Sequence, residues 1–130
     1  MAISIQPNPQ SSSNASSYLV YVAMLQQDGT DAPTAIVLEN TIGDIVWTRL
    51  DIGTYRGTLA NAFPANRTWI IPSYTTLING GDQIIVCDLI RISDNQIEMN
   101  LFDITDLSSA DLMLADPLSL TVEIRIYPGS

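Results

Sequence analysis

The chain has no lysine, no histidine and a single cysteine, and its 5 basic residues, all arginines, face 14 acidic ones. Each absence removes a chemistry. Without lysine there is no Schiff-base nucleophile, and without histidine neither a Ser-His-Asp nor a Cys-His relay can be built. Cys87 alone can form neither a cysteine zinc site nor an internal disulfide. It sits in the apolar run Gln83 to Ile92 (QIIVCDLIRI), which reads as core. With a net charge of -9 the chain is ill suited to phosphate backbones, which are gripped by Lys and Arg, so direct nucleic-acid binding is not expected. No apolar run reaches the roughly 18 residues of a membrane span. Met1 to Ser17 also lacks the basic start and apolar middle of a signal peptide, so neither membrane insertion nor export by that route is expected.

Charge itself is scarce. Charged residues make up 15% of the chain, where about 25% is usual, while 46% is hydrophobic. Much of the surface must therefore be uncharged, and such a surface is more readily hidden in an assembly than kept in water. At 130 residues the length fits one domain and one core.

What is present reads as β structure. Residues 1–17 (MAISIQPNPQSSSNASS) are rich in Ser, Asn, Gln and Pro and show no periodicity, which predicts a flexible arm. Ile3 and Ile5 are its apolar anchors, the residues expected to dock on a neighbour. From Tyr18 the composition changes. Tyr18 to Gln26 (YLVYVAMLQ) predicts a strand buried on both faces. Further strands are expected at Ala35 to Glu39, Ile45 to Leu50, Thr54 to Leu59, Thr68 to Ile71, Gln83 to Ile92 and Gln96 to Phe102, separated by Gly, Asp, Asn and Pro turns. Ser93-Asp94-Asn95 marks the clearest hairpin. Leu118, Leu120, Val122, Ile124 and Ile126 alternate with polar residues or Tyr127, as in a strand with one dry face. Asp103 to Asp116 allows at most one or two helical turns. About eight short strands without a crossover helix predict an all-β antiparallel sandwich, Ig-like or jelly-roll-like, over residues 18–130.

The acidic residues offer the remaining site chemistry. Asp103, Asp106, Asp111 and Asp116 cluster in one stretch, and Asp28 and Asp31 flank a glycine. Paired carboxylates can hydrolyse a glycosidic bond or bind calcium. These stretches lack the alternating ligands of a calcium loop, and Asp is an ordinary turn residue, so no catalytic residue, metal or cofactor is assigned. Among the aromatics, Trp47 and Trp69 are expected in the core or at its edge and Tyr74 in an exposed turn. If the domain binds glycans instead, Tyr55, Trp69 and Tyr74 are the candidate platform.

Exposed sheet edges are often guarded by lysine. This chain has none, and Arg49, Arg56, Arg91 and Arg125 fall one per strand. Burial against a neighbouring subunit, with Tyr74 joining Ile3 and Ile5 at contacts, is the expected alternative.

Five blocks then align in a familiar order: Tyr21 to Pro33 (YVAMLQQDGTDAP), Leu38 to Gly43 (LENTIG), Val46 to Arg49 (VWTR), Gly53 to Leu59 (GTYRGTL) and Val122 to Pro128 (VEIRIYP). Together they resemble a family of small β modules of bacteriophages and prophages of Bacteroidetes hosts, over roughly Tyr18 to Pro128. The resemblance implies a virion structural protein assembled in the host cytoplasm: a capsid auxiliary or decoration subunit, or else a head-fibre, tail or baseplate component. Its partners would be other virion subunits and its own copies. It implies no catalytic or ligand-binding residue. The glycines in these blocks, Gly29, Gly43, Gly53 and Gly57, suit tight turns or bulges.

Overall fold

The computed structural model describes residues 17–72, 77–79, 83–103, 108–109 and 120–129. Its strands are β1 (Leu19–Gln26), β2 (Thr34–Asn40), β3 (Val46–Asp51), β4 (Thr54–Thr58), β5 (Thr68–Pro72), β6 (Leu77–Asn79), β7 (Gln83–Ser93), β8 (Gln96–Asp103), β9 (Ser108–Ser109) and β10 (Leu120–Ile126). Because β6 and β9 have only three and two residues, eight strands carry the architecture, as expected. No helix occurs among the described residues. In the stretch allowed one or two helical turns, Asp103 ends β8 and Ser108–Ser109 form β9, while Leu112, Met113 and Leu114 lie outside the described residues.

All pairings are antiparallel, and the strands form two sheets in the orders β2-β1-β10-β5 and β3-β4-β8-β7-β6, with β9 also on β8. The first and last strands are thus central neighbours. Alternation decides which side chains meet between the sheets. Tyr21, Ala23 and Leu25 of β1 and Leu120, Val122, Ile124 and Ile126 of β10 face Trp47, Tyr55, Leu89, Ile97, Met99 and Leu101 of the other sheet. Each large side chain buried here contributes roughly 1.5 to 3 kcal/mol. One expectation is corrected in β1. Val22, Met24 and Gln26 on its second face are half-buried and outside the core cluster, and among the described residues no layer packs over the outside of this sheet.

Polar atoms also join the sheets. The Trp47 indole Nε1 donates to the Tyr21 hydroxyl at 3.2 Å, and the Tyr55 hydroxyl donates to Gln27 Oε1 at 2.5 Å. Gln27, itself buried, donates from Nε2 to the Asp31 carbonyl at 2.9 Å, which ties the β1–β2 turn to the core.

The crossings between sheets are held locally. Asn40 Oδ1 accepts from the Ile42 and Gly43 N–H groups at 3.0 and 2.9 Å, an Asx turn that ends β2. Between β4 and β5, the buried Phe63 plugs the loop. Its N–H donates to the Asp94 carbonyl, and its own carbonyl accepts from Arg91 Nε at 2.7 Å. The β7–β8 hairpin, closed by Asp94-Asn95 with a register shift between Arg91 and Ser93, therefore also clamps this connection. Gly29, Gly43 and Gly53 have positive φ, as expected of turn glycines. Gly57 does not: it lies mid-strand, where an added Cβ would sit 2.9 Å from Ile45 Cγ2, so its role is close packing.

Candidate interaction surface

The two outer faces differ in chemistry. Outside β4 and β8 runs a polar ladder. Arg56 Nε pairs with Glu98 Oε1 at 2.8 Å and its Nη1 donates to Gln96 Oε1 at 3.1 Å, while Asn100 Nδ2 donates to Glu98 Oε2 at 3.2 Å. The exposed Val46 and Ile90 flank this ladder.

Outside the β2-β1-β10-β5 sheet the surface is aromatic and aliphatic. Register places Trp69 of β5 beside Arg125 of β10, with Val20 of β1 on the other side of Arg125. The Arg125 guanidinium lies 4.6 Å from the Tyr18 ring centroid and 4.7 Å from that of Trp69, a double cation–π contact. The rings of Tyr18 and Tyr127 are 5.3 Å apart, tilted at 46°. Glu123 Oε2 accepts from Arg125 Nε at 2.7 Å. Hydrogen bonds to the Tyr127 hydroxyl and to Glu123 raise the Arg125 pKa further, so the cation is permanent. Ile71 and Ile36, both exposed, extend the face toward its two edges.

This face continues into a groove at the end of the sandwich where β1 starts and β10 stops. A cavity of about 520 Å³ lies between Tyr18, Leu19, Thr41, Arg67, Ile126 and Tyr127, and Ser17 and Pro128 also line it. A second, of about 340 Å³, shares Leu19, Arg67 and Ile126 and reaches Ile42 and Leu59. Arg67 Nη1 donates to the Tyr127 carbonyl at 3.3 Å, which joins the loop before β5 to the end of β10.

Of the sequence candidates, Trp69 is on this surface, 38% exposed. Tyr55 is not. It is fully buried with its hydroxyl bonded to Gln27, so the expected glycan platform loses that member. The strand itself carried the signal: with Arg56 on the wet face of β4, alternation turns Tyr55 inward. Trp47 is core, as expected. Ile3, Ile5 and Tyr74 lie outside the described residues. Tyr18, Arg125 and Tyr127 were missed because what unites them with Trp69 is the pairing of β10 with β1 and β5, which a linear reading does not contain.

Asp28 and Asp31 form an ordinary turn, the Asp31 N–H donating to the Asp28 carbonyl, and Asp106, Asp111 and Asp116 lie outside the described residues. No group of three or more His, Cys, Asp or Glu able to hold a metal occurs among the described residues. Burial, and secondarily the Asp88 carboxylate, pushes the Cys87 thiol up to about 12, so it stays protonated at neutral pH. No helix among the described residues is long and apolar enough to cross a membrane. Comparison with known proteins finds no matching family model, no curated relative and no similar solved structure.

Proposed function

We propose that this chain is a non-enzymatic structural subunit that works by association, concretely a capsid auxiliary or decoration protein of a bacteriophage. The observation that carries the association is the aromatic outer face of the β2-β1-β10-β5 sheet. In a chain of net charge -9, Tyr18, Trp69, Ile71 and Ile36 stay exposed around one internally neutralised Arg125–Glu123 pair. A surface of this kind gains free energy when covered, while the carboxylates elsewhere oppose indiscriminate clumping. The phage assignment rests on the resemblance of the five sequence blocks, which occupy β1, the end of β2, β3, β4 and β10. Mass spectrometry of purified particles from the producing strain tests it. The chain is expected in stoichiometric copy, and its absence from the particles refutes the virion role.

The exposed Trp69 favours a second reading, a carbohydrate-binding adhesion module. Against it, Arg125 already stacks on Trp69 and Tyr55 is buried. Glycan-array binding abolished by Trp69→Ala would favour this reading over the first.

A further inference from the structure

Asp28 and Gly29 form the only Asp-Gly step in the sequence. Glycine matters in the second place because any side chain there shields its backbone nitrogen from the preceding carboxyl group. Both residues are exposed at the tip of the β1–β2 turn, and a Cβ placed on Gly29 would meet nothing within 4 Å. Gly29 has a φ of +58° and is the first central residue of the turn that the Asp31 N–H closes onto the Asp28 carbonyl at 3.1 Å. Among the described residues, neither the Asp28 carboxylate nor the Gly29 N–H has a hydrogen-bond partner. Other aspartates are more restrained. Asp51 precedes the β-branched Ile52, Asp94 is paired with Arg91, and Asp44 and Asp88 precede the buried Ile45 and Leu89.

We infer that Asp28 is a site of spontaneous backbone modification, where the Asp28–Gly29 link isomerises to an isoaspartyl link through a cyclic imide. The Gly29 nitrogen attacks Cγ of the protonated Asp28 carboxyl group. The N–Cγ bond forms, the nitrogen gives up its proton, and the carboxyl hydroxyl leaves as water. A water molecule then adds to either imide carbonyl. Breaking the N–Cγ bond restores aspartate. Breaking the bond from nitrogen to the α-carbonyl carbon leaves the main chain running through Cβ and Cγ, with the α-carboxylate free. One water is lost and one regained, no electron is transferred, and solvent is the sole co-reactant.

The product bears on the core through this turn. The main chain gains one carbon, and the Asp28 carbonyl that accepts the Asp31 N–H becomes a carboxylate beside the chain. The Asp31 carbonyl, which accepts from the buried Gln27 Nε2 at 2.9 Å, is displaced with it. Gln27 Oε1 holds the Tyr55 hydroxyl of the other sheet, so the modification loosens a polar link between the sheets and costs stability. The inference concerns the chain itself and stands or falls apart from the virion role.

Incubation of the folded full chain for weeks at physiological temperature and pH, followed by proteolysis and electron-transfer fragmentation, tests it. Fragmentation separates isoaspartyl from aspartyl backbone at each residue without a change in mass, so deamidation at Asn79-Gly80, which raises the mass, is not confused with it. Isoaspartate is expected at position 28 severalfold faster than at Asp31, which precedes Ala32 in the same exposed turn. Asp28→Glu, which keeps the charge but would need a larger ring, is expected to abolish it. Equal accumulation at Asp28 and Asp31 overturns the site, as does conversion at Asp28 only in chains unfolded with urea. Modified chains, isolated by ion exchange, are expected to unfold at a lower urea midpoint than unmodified ones. An unchanged midpoint overturns the coupling to the core.

Discussion

Cys87 links its place on β7 to the pH range in which the fold survives. Its ordinary pKa is near 9.0, and in the folded chain burial raises it to about 12. Between these values the unfolded chain releases the thiol proton and the folded chain keeps it, so stability falls as pH rises. Below pH 9 both states hold the proton and the contribution is constant. The Cys87→Ala variant should therefore lose stability less steeply between pH 9 and 12, the difference reaching at most about 1.4 kcal/mol per pH unit for one proton. Urea midpoints of both proteins across this range measure it, and parallel slopes would refute the assignment. Tyr21, likewise raised by burial, adds the same trend above pH 10 in both chains. Cys87, expected in the core from its apolar neighbours, is half-buried and packs against the core from β7. Strand phase removes Tyr55 from the glycan platform, whereas Trp69, expected in the core or at its edge and as a platform member, is exposed on the edge strand β5. A polar residue one step away decides phase when it is charged, as Arg56 is beside Tyr55. Thr68 beside Trp69 is compatible with either face, and only the pairing of Trp69 with Arg125 resolves it.

Strand β4 owes its position to what Gly57 lacks. Register sets Gly57 between Trp47 of β3 and Ile97 of β8, and Trp47 Cζ3 and Ile97 Cγ1 would each lie 3.1 Å from an added Cβ. The absent side chain is the space into which the Trp47 ring folds. Gly57→Ala should destabilise by about 1 to 3 kcal/mol through overpacking, despite the smaller entropy cost of alanine in a strand. Ile45→Ala in the same chain opens the tightest contact, at Ile45 Cγ2, and so should cost less with Gly57→Ala than alone. Denaturant titration of the double-mutant cycle reads this coupling, and strict additivity would place the strain elsewhere. The eight longer strands were legible, since β-branched runs and turn residues are local signals, whereas β9 lies in the stretch read as helical. The close packing of Gly57 was not legible, since glycine in a β run is equally a bulge signal until its neighbours across the sheet are known. Lysine-free composition raised the question of edge protection, but only strand order shows which strands are edges.

At the scale of the molecule, two opposed terms would govern the proposed association. Burial of the aromatic face would favour it, and a charge of -9 on every copy opposes it. Among the described residues the ion pairs Arg56–Glu98, Arg91–Asp94 and Arg125–Glu123 are internal to the chain, so they neutralise charge without bridging copies. Salt therefore acts mainly on the repulsion. Raising ionic strength from about 0.05 to 0.5 M shortens the screening length severalfold and leaves the apolar term intact, so self-association should tighten with salt. Lowering pH from 7 toward the isoelectric point near 4.1 should act in the same direction, because carboxylate charge is lost on every copy. Sedimentation equilibrium across a salt series at fixed pH separates this from the converse design. An interface built on ion pairs between copies would weaken as salt rises, and that outcome would exclude the apolar face as the surface that holds copies together.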